Sequence, residues 1–86
     1  MAEKKWFVYI LECSDGSYYT GVTNDLDNRM RAHSEGKGSK CVWNRGFRRL
    51  IFAKPCLDKS DACKCEYQIK RLSKNQKLKW FKGRLP

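Results

Sequence analysis

Five residues in the sequence are of the types that can bind a phosphate and hydrolyse its ester. They are Tyr9, Tyr19, Arg29, His33 and Glu66. An arginine fork suits phosphate oxygens, a carboxylate is a ligand for a hard cation, and an imidazole can relay a proton. A phenol becomes a useful base only where nearby cations lower its pKa. Each residue alone fits a structural role, as a sheet aromatic, an ion-pair partner or a helix-end cation, but the set indicates phosphate chemistry.

The two tyrosines lie on a predicted β-hairpin. Residues 6–12, WFVYILE, are continuously apolar with β-branched and aromatic side chains, which predicts a strand buried on both faces at the centre of a sheet. The turn CSDGS follows at once, and residues 17–22 form the second strand.

The length of the turn decides whether the two phenols meet. A two-residue loop would send Tyr9 and Tyr19 to opposite faces of the sheet. A three-residue loop with Gly16 at positive φ places Tyr9 opposite Gly21 and Tyr19 opposite Leu11, so that the phenols become diagonal neighbours about 7 to 8 Å apart. We prefer the three-residue loop, since Gly21 then leaves space for the Tyr9 ring.

The first predicted helix carries Arg29 and His33, which are four residues apart and therefore project from the same side. Its candidate N-caps are followed by apolar residues at helical spacing, and it ends at Glu35 and Gly36. The candidate caps are Thr23, Asn24 and Asp25, and the apolar residues are Leu26 and Met30, with His33 in the same register.

The second predicted helix carries Glu66 and starts near Ser60. Its apolar stripe should pack on the sheet and consists of Ala62, Cys65, Ile69 and Leu72. At 100° per residue Glu66 is drawn toward that packed face, where a carboxylate needs a partner. Ser73 and Gln76 form a capping box for a third, short helix that runs to about Phe81.

The remaining segments complete a small α+β fold. Residues 36–46, GKGSKCVWNRG, are interpreted as an exposed, cation-rich loop, and residues 49–54 as a third strand ended by Pro55. The order β-β-α-β-α-α predicts a three-stranded mixed or antiparallel sheet flanked by helices. The whole chain, residues 1–86, is expected to form a single domain.

Charge and composition restrict the class of partner. The net charge is +10, and residues 36–86 carry fifteen Lys and Arg against three acids, which favours a polyanion, and nucleic acid over membrane. No apolar run is long enough to span a bilayer, and no signal peptide is recognisable, so a cytoplasmic protein is expected. The five cysteines are interpreted as free thiols, because their number is odd and the CxC pair has the wrong spacing for structural zinc.

These residues in this order resemble the GIY-YIG nuclease superfamily. The two name-giving motifs correspond to Val8-Tyr9-Ile10 and Tyr19-Thr20-Gly21, the helix signature to TNDLDNRMRAH, and the metal carboxylate to Glu66 in KCEYQIK. The first motif has Val8 in place of glycine and the second Thr20 in place of isoleucine, but neither change removes a reacting group. The resemblance covers nearly the whole chain and looks most like the short single-domain bacterial members of the YhbQ type, related to endonucleases that cut branched DNA.

The resemblance implies a metal-dependent endonuclease that hydrolyses DNA phosphodiesters, with branched or flapped DNA and DNA repair as the expected setting. Glu66 would hold a single Mg²⁺ or Mn²⁺ that keeps most of its waters. Arg29 would clamp the nonbridging oxygens, either Tyr9 or Tyr19 would accept the proton of the attacking water, and His33 would position or relay that proton.

Basic and aromatic residues of the second half are expected to hold the nucleic-acid backbone without reading its sequence. They are Lys40, Trp43, Arg45, Arg48, Arg49, Lys70, Lys74 and Lys77. Asn75 lies where many family members use a late asparagine, and its alignment stays open. The alternative to the nuclease is a binding module of the same fold that does not cut, or that depends on a protein partner for specificity.

Overall fold

A computed structural model describes residues 5–83, so the predicted domain 1–86 extends at both ends into residues outside this range. Three strands and four helices follow one another: β1 (Trp6–Cys13), β2 (Tyr18–Thr23), α1 (Leu26–Ser34), α2 (Lys40–Arg45), β3 (Phe47–Cys56), α3 (Lys59–Lys70) and α4 (Lys74–Lys82). The strands form one antiparallel sheet in the order β2-β1-β3. The predicted α+β class and the central position of β1 are therefore confirmed.

The hairpin has the predicted three-residue loop. Gly16 adopts φ 86°, a conformation that favours glycine, and it closes the turn through its N–H, which donates to the Cys13 carbonyl. Tyr9 pairs with Gly21 and Leu11 with Tyr19, as the preferred register requires. Both phenols consequently lie on the same face of the sheet.

The two faces of β1 are covered by different helices. Val8 and Ile10 pack with α3 and α4 in one apolar cluster, in which Phe81 is fully buried. Tyr9 and Leu11 pack on the opposite face in a second cluster, which α1 and α2 cover. Each fully buried aliphatic or aromatic side chain contributes roughly 1.5–3 kcal/mol to stability. The core thus consists of two helical layers held against one strand.

Side chains at the helix ends fix where each helix begins. Asp25 accepts from the Asn28 N–H at the start of α1, and Asp58 caps α3, which begins one residue before the predicted Ser60. The predicted capping box of Ser73 and Gln76 is present at the start of α4.

Two local predictions were wrong. The expected loop at residues 36–46 contains the short helix α2, whose N-cap is Ser39 and whose buried contact is Val42. Pro55 does not end the third strand but lies within β3, which tolerates it because β3 is at the edge of the sheet. Within residues 5–83 the five cysteines are free thiols, and no helix is apolar enough over sufficient length to cross a bilayer.

Candidate active site

A hydrogen bond joins Tyr9 to His33 inside the protein. The Tyr9 hydroxyl lies 2.9 Å from His33 Nε2, and the two residues are 2% and 3% exposed. Tyr9 comes from the central strand β1, and His33 from the last turn of α1. The contact therefore depends on α1 packing against the sheet, and it orients both side chains.

Aromatic rings and glycines enclose this pair. The Tyr19 ring centroid lies 6.5 Å from that of Tyr9 and 5.7 Å from that of His33, while Phe47 stacks on the imidazole at 6.2 Å. A Cβ placed on Gly21 would lie 2.5 Å from the Tyr9 hydroxyl, and one on Gly38 would lie 2.5 Å from His33 Nδ1. Sequence reasoning missed Phe47 and Gly38, although the second glycine of GKG is a signal of close backbone approach.

Burial keeps both members of the pair neutral. It raises the pKa of the Tyr9 phenol well above its ordinary value, and Tyr19 adds to the rise while Arg29 opposes it. Burial, followed by the nearby charge of Arg29, lowers the pKa of His33 from its ordinary 6.5. Among residues 5–83 His33 Nδ1 has no hydrogen-bond partner. A neutral imidazole beside a phenol can accept a proton at Nε2.

Arg29 and Glu66 approach the pair from opposite layers. Arg29 lies one turn before His33 on α1, is exposed, and forms no ion pair with any described residue. The Glu66 side chain is 25% exposed, lies 3.6 Å from Lys70 Nζ, and raises the pKa of Tyr9 through its charge. An ion pair between Arg29 and Glu66, the structural alternative, is therefore absent from the described part of the chain. The structure brings Tyr9, Tyr19 and His33 into one cluster, while Arg29 and Glu66 act on Tyr9 through their charges, so the five-residue site stays a prediction.

The residues predicted to bind nucleic acid lie in three places. The first set we call the hairpin cations: Arg45, Lys70, Lys74 and Lys77. Arg45 and Lys74 donate to Ser17 and Gly16 beside the β1–β2 turn, and the pKa of Lys77 is lowered by burial and then by the charges of Arg45 and Lys70. Arg48 and Arg49 lie beside Glu12, at 3.9 and 3.0 Å from its carboxylate. Lys40 and Trp43 belong to α2, where Trp43 is 65% exposed. Asn75 is exposed in the first turn of α4.

Comparison with known proteins gives the family. The GIY-YIG catalytic domain matches residues 5–79 of the chain. The chain belongs to the GIY-YIG family. Members of this family are typically endonucleases that act on nucleic acid and generally use divalent metal ions, so membership indicates a nuclease.

Related bacterial proteins have no described activity in their names. The chain is 39% identical over 82 residues to the UPF0213 protein of Cronobacter sakazakii, covering 95% of this chain and 86% of the relative. It is 40% identical to the UPF0213 protein YhbQ of Escherichia coli, covering 84% of this chain and 72% of that protein. The solution NMR structure of the UPF0213 protein BH0048 from Bacillus halodurans matches with a TM-score of 0.57 at 41% identity, over 93% of this chain and 85% of that one. The predicted resemblance to short YhbQ-like members is confirmed.

The donor set at the GIY-YIG site fits a hydrated hard cation. Residues 5–83 contain no group of three or more His, Cys, Asp or Glu that could hold a metal, and Glu66 is the predicted metal carboxylate, whose charge raises the pKa of Tyr9. Mg²⁺ or Mn²⁺ bound through one carboxylate keeps most of its waters and shares phosphate oxygens of the substrate. A single glutamate is therefore compatible with one such ion.

Proposed function

We propose that this GIY-YIG protein is a cytoplasmic endonuclease that hydrolyses DNA phosphodiester bonds, with branched or flapped DNA as its preferred substrate. The observation that carries the proposal is the buried hydrogen bond between the Tyr9 hydroxyl and His33 Nε2. A buried phenol needs only one hydrogen-bond partner to be stable. Folding does not require the phenol to lie near a guanidinium and a carboxylate. Phosphodiester hydrolysis uses a proton acceptor, a fixed cation and a metal ligand, which are the roles that these three groups can fill.

Tyr9 is the proposed proton acceptor. Of the two phenols, only the Tyr9 hydroxyl has a hydrogen-bond partner among the described residues. Cations were expected to lower the pKa of the phenol, but burial raises the pKa of Tyr9, so a standing phenolate is not the base. In the proposed relay Tyr9 takes a proton from the attacking water as it passes its own proton to His33 Nε2. Tyr19 lines the same face and positions the water by its contact with both rings.

Arg29 supplies the fixed positive charge of the site. Its side chain is exposed and forms no ion pair with a described residue, so it can bind the nonbridging phosphate oxygens without breaking an existing contact. Glu66 would hold Mg²⁺ or Mn²⁺, which when bound supplies Lewis-acid stabilisation of the phosphate and the leaving oxygen. Lys70 neutralises Glu66 in the free protein.

Cleavage of labelled single-stranded, duplex, flapped and branched DNA by the purified protein, with and without Mg²⁺ or Mn²⁺, tests the proposal. Glu66→Gln and Arg29→Ala should abolish cleavage while leaving DNA binding largely intact. Asp27→Asn and Arg31→Ala are matched controls, since both residues are exposed on α1, and these variants should retain cleavage. Tyr9→Phe should lose more activity than Tyr19→Phe if Tyr9 is the base.

Two results would count against the proposal. DNA binding without products under every condition would identify a binding module or a partner-dependent enzyme. Equal loss of binding and cleavage in Glu66→Gln would assign Glu66 a structural role instead.

A further inference from the structure

The hairpin cations converge although they come from three helices. Arg45 Nη1 donates to Ser17 Oγ at 3.3 Å, and Lys74 donates to the carbonyl of the preceding residue, Gly16. Lys74 Nζ also lies 4.6 Å from the centroid of the Tyr18 ring. Two cations from α2 and α4 are thereby fixed at adjacent positions of the β1–β2 turn. Their positions follow from contacts and not from the sequence, where they are far apart.

Lys77 is the most crowded of these cations. It is half-buried, and burial, followed by the charges of Arg45 and Lys70, lowers its pKa. The carboxylates near this group are Glu66, which pairs with Lys70 at 3.6 Å, and Asp15 in the turn. Four positive charges thus face two negative ones. The free protein retains a repulsion that a bound anion would relieve.

We propose that the hairpin cations form a second phosphate-binding subsite, which holds a backbone phosphate flanking the scissile one. Lys70 lies one turn of α3, about 6 Å along the axis, from Glu66. Ser17 lies two residues, about 7 Å, from Tyr19. Neighbouring phosphates of a stacked strand are at least about 3.4 Å apart, which is their separation along the axis, so these spans place the subsite within about two nucleotides of the cut.

The subsite specifies a class of substrate. The strand must continue past the scissile bond toward the β1–β2 turn, because a substrate ending at the cut would leave these cations unpaired. The inference rests on the proposed endonuclease function for its location relative to the cut. The phosphate-binding role itself does not require cleavage and is tested separately from it.

Removing the charge of Lys77 should have opposite effects on stability and on binding. In the free protein Lys77→Gln removes a cation that its neighbours repel, so the melting temperature should rise. In the complex the same change removes a phosphate contact, so affinity should fall. A lysine that serves only folding would lose stability on substitution without a change in the salt dependence of binding.

Fluorescence anisotropy of a labelled oligodeoxythymidylate in EDTA measures binding without cleavage. Lys77→Gln and Arg45→Gln should each weaken binding and reduce the slope of log affinity against log salt by about 0.7, the value for one contact on a single strand. Lys64→Gln is the matched control, since it removes the same charge from the exposed surface of α3. If Lys77→Gln lowers stability through lost packing, Lys77→Met restores the apolar stem and leaves the binding comparison intact.

The subsite is overturned if the affinity and salt slope of both variants equal those of Lys64→Gln. Intact binding with the expected slopes, but no cleavage of any DNA in Mg²⁺ or Mn²⁺, would instead refute the endonuclease and leave the subsite standing. The two proposals therefore fail through different measurements.

Discussion

Gly21→Ala should damage the site by displacing Tyr9. The new methyl carbon would lie 2.5 Å from the Tyr9 hydroxyl, 2.6 Å from its Cζ and 3.1 Å from Tyr19 Cε1. Tyr9 is only 2% exposed, so the ring cannot swing into solvent, and its hydroxyl is held by His33. Overpacking of this kind costs about 1–3 kcal/mol. For a domain of this size that lowers the melting temperature by about 4 to 24 °C.

The cost should depend on the residue at position 9. In a Tyr9→Leu background the two closest clashing atoms are absent and only the 3.1 Å contact with Tyr19 Cε1 remains. The cost of Gly21→Ala should therefore fall, with a coupling energy of about 1–3 kcal/mol in the double-mutant cycle. Gly16→Ala is the contrasting control, because its Cβ would meet nothing within 4 Å and only its φ of 86° is unfavourable. Its cost should be the same in both backgrounds.

Urea unfolding of the four variants of the cycle supplies the energies, and DNA cleavage supplies the functional readout. Gly21→Ala should lose cleavage beyond its loss of stability, since the Tyr9–His33 hydrogen bond is displaced. Gly16→Ala should cleave normally at a temperature where it is folded. Equal cost of Gly21→Ala in both backgrounds would refute the steric reasoning.

Two further predictions concern buried polar groups. Thr20→Val should stabilise the protein by about 1 kcal/mol, because the Thr20 hydroxyl is buried with no hydrogen-bond partner among the described residues; a loss of stability in urea unfolding would contradict this. His33, the single histidine of the chain, has its pKa lowered on folding from 6.5 by burial and then by Arg29. Acidification below 6.5 therefore protonates the unfolded chain first and lowers stability, until the folded pKa is passed. The decline should be absent in His33→Gln, and a stability difference between the two proteins that does not change with pH would contradict it.

The hairpin was predictable because the turn residues and the pairing of the two strands favour the same structure. The turn glycine at position 16 and the apolar run of β1 predict the hairpin, and the space that Gly21 leaves for the Tyr9 ring favours the register that the structure has. The caps of α1 and α4 were predictable for the same reason, since a cap such as the Ser73–Gln76 box is satisfied within four residues, whereas Asp58 of α3 was not predicted. Contacts of short sequence range are therefore visible in the sequence.

Helix α2 was not predictable, because its stability comes from tertiary contacts. It has six residues, too few to form a stable helix alone, and its sequence lies between glycines that indicate a loop. Burial of Val42 and the close approach of Trp43 to Gly36 hold it in place. The contact of Gly38 with His33 depends on the same docking, so the glycine could signal a close approach but not its partner.

The candidate site exists only when both helical layers are docked. The Tyr9 side chain extends from the central strand β1 over Gly21 of the edge strand β2. On that face of the sheet its hydroxyl forms the hydrogen bond with His33 of α1. Glu66 comes from α3 in the opposite layer, yet its charge acts on Tyr9. Sequence spacing could name the members of the set, because each lies on a predictable element. The hydrogen bond between Tyr9 and His33 depends on the packing of α1 against the sheet, so the sequence alone offered no ground for proposing Tyr9 over Tyr19 as the base.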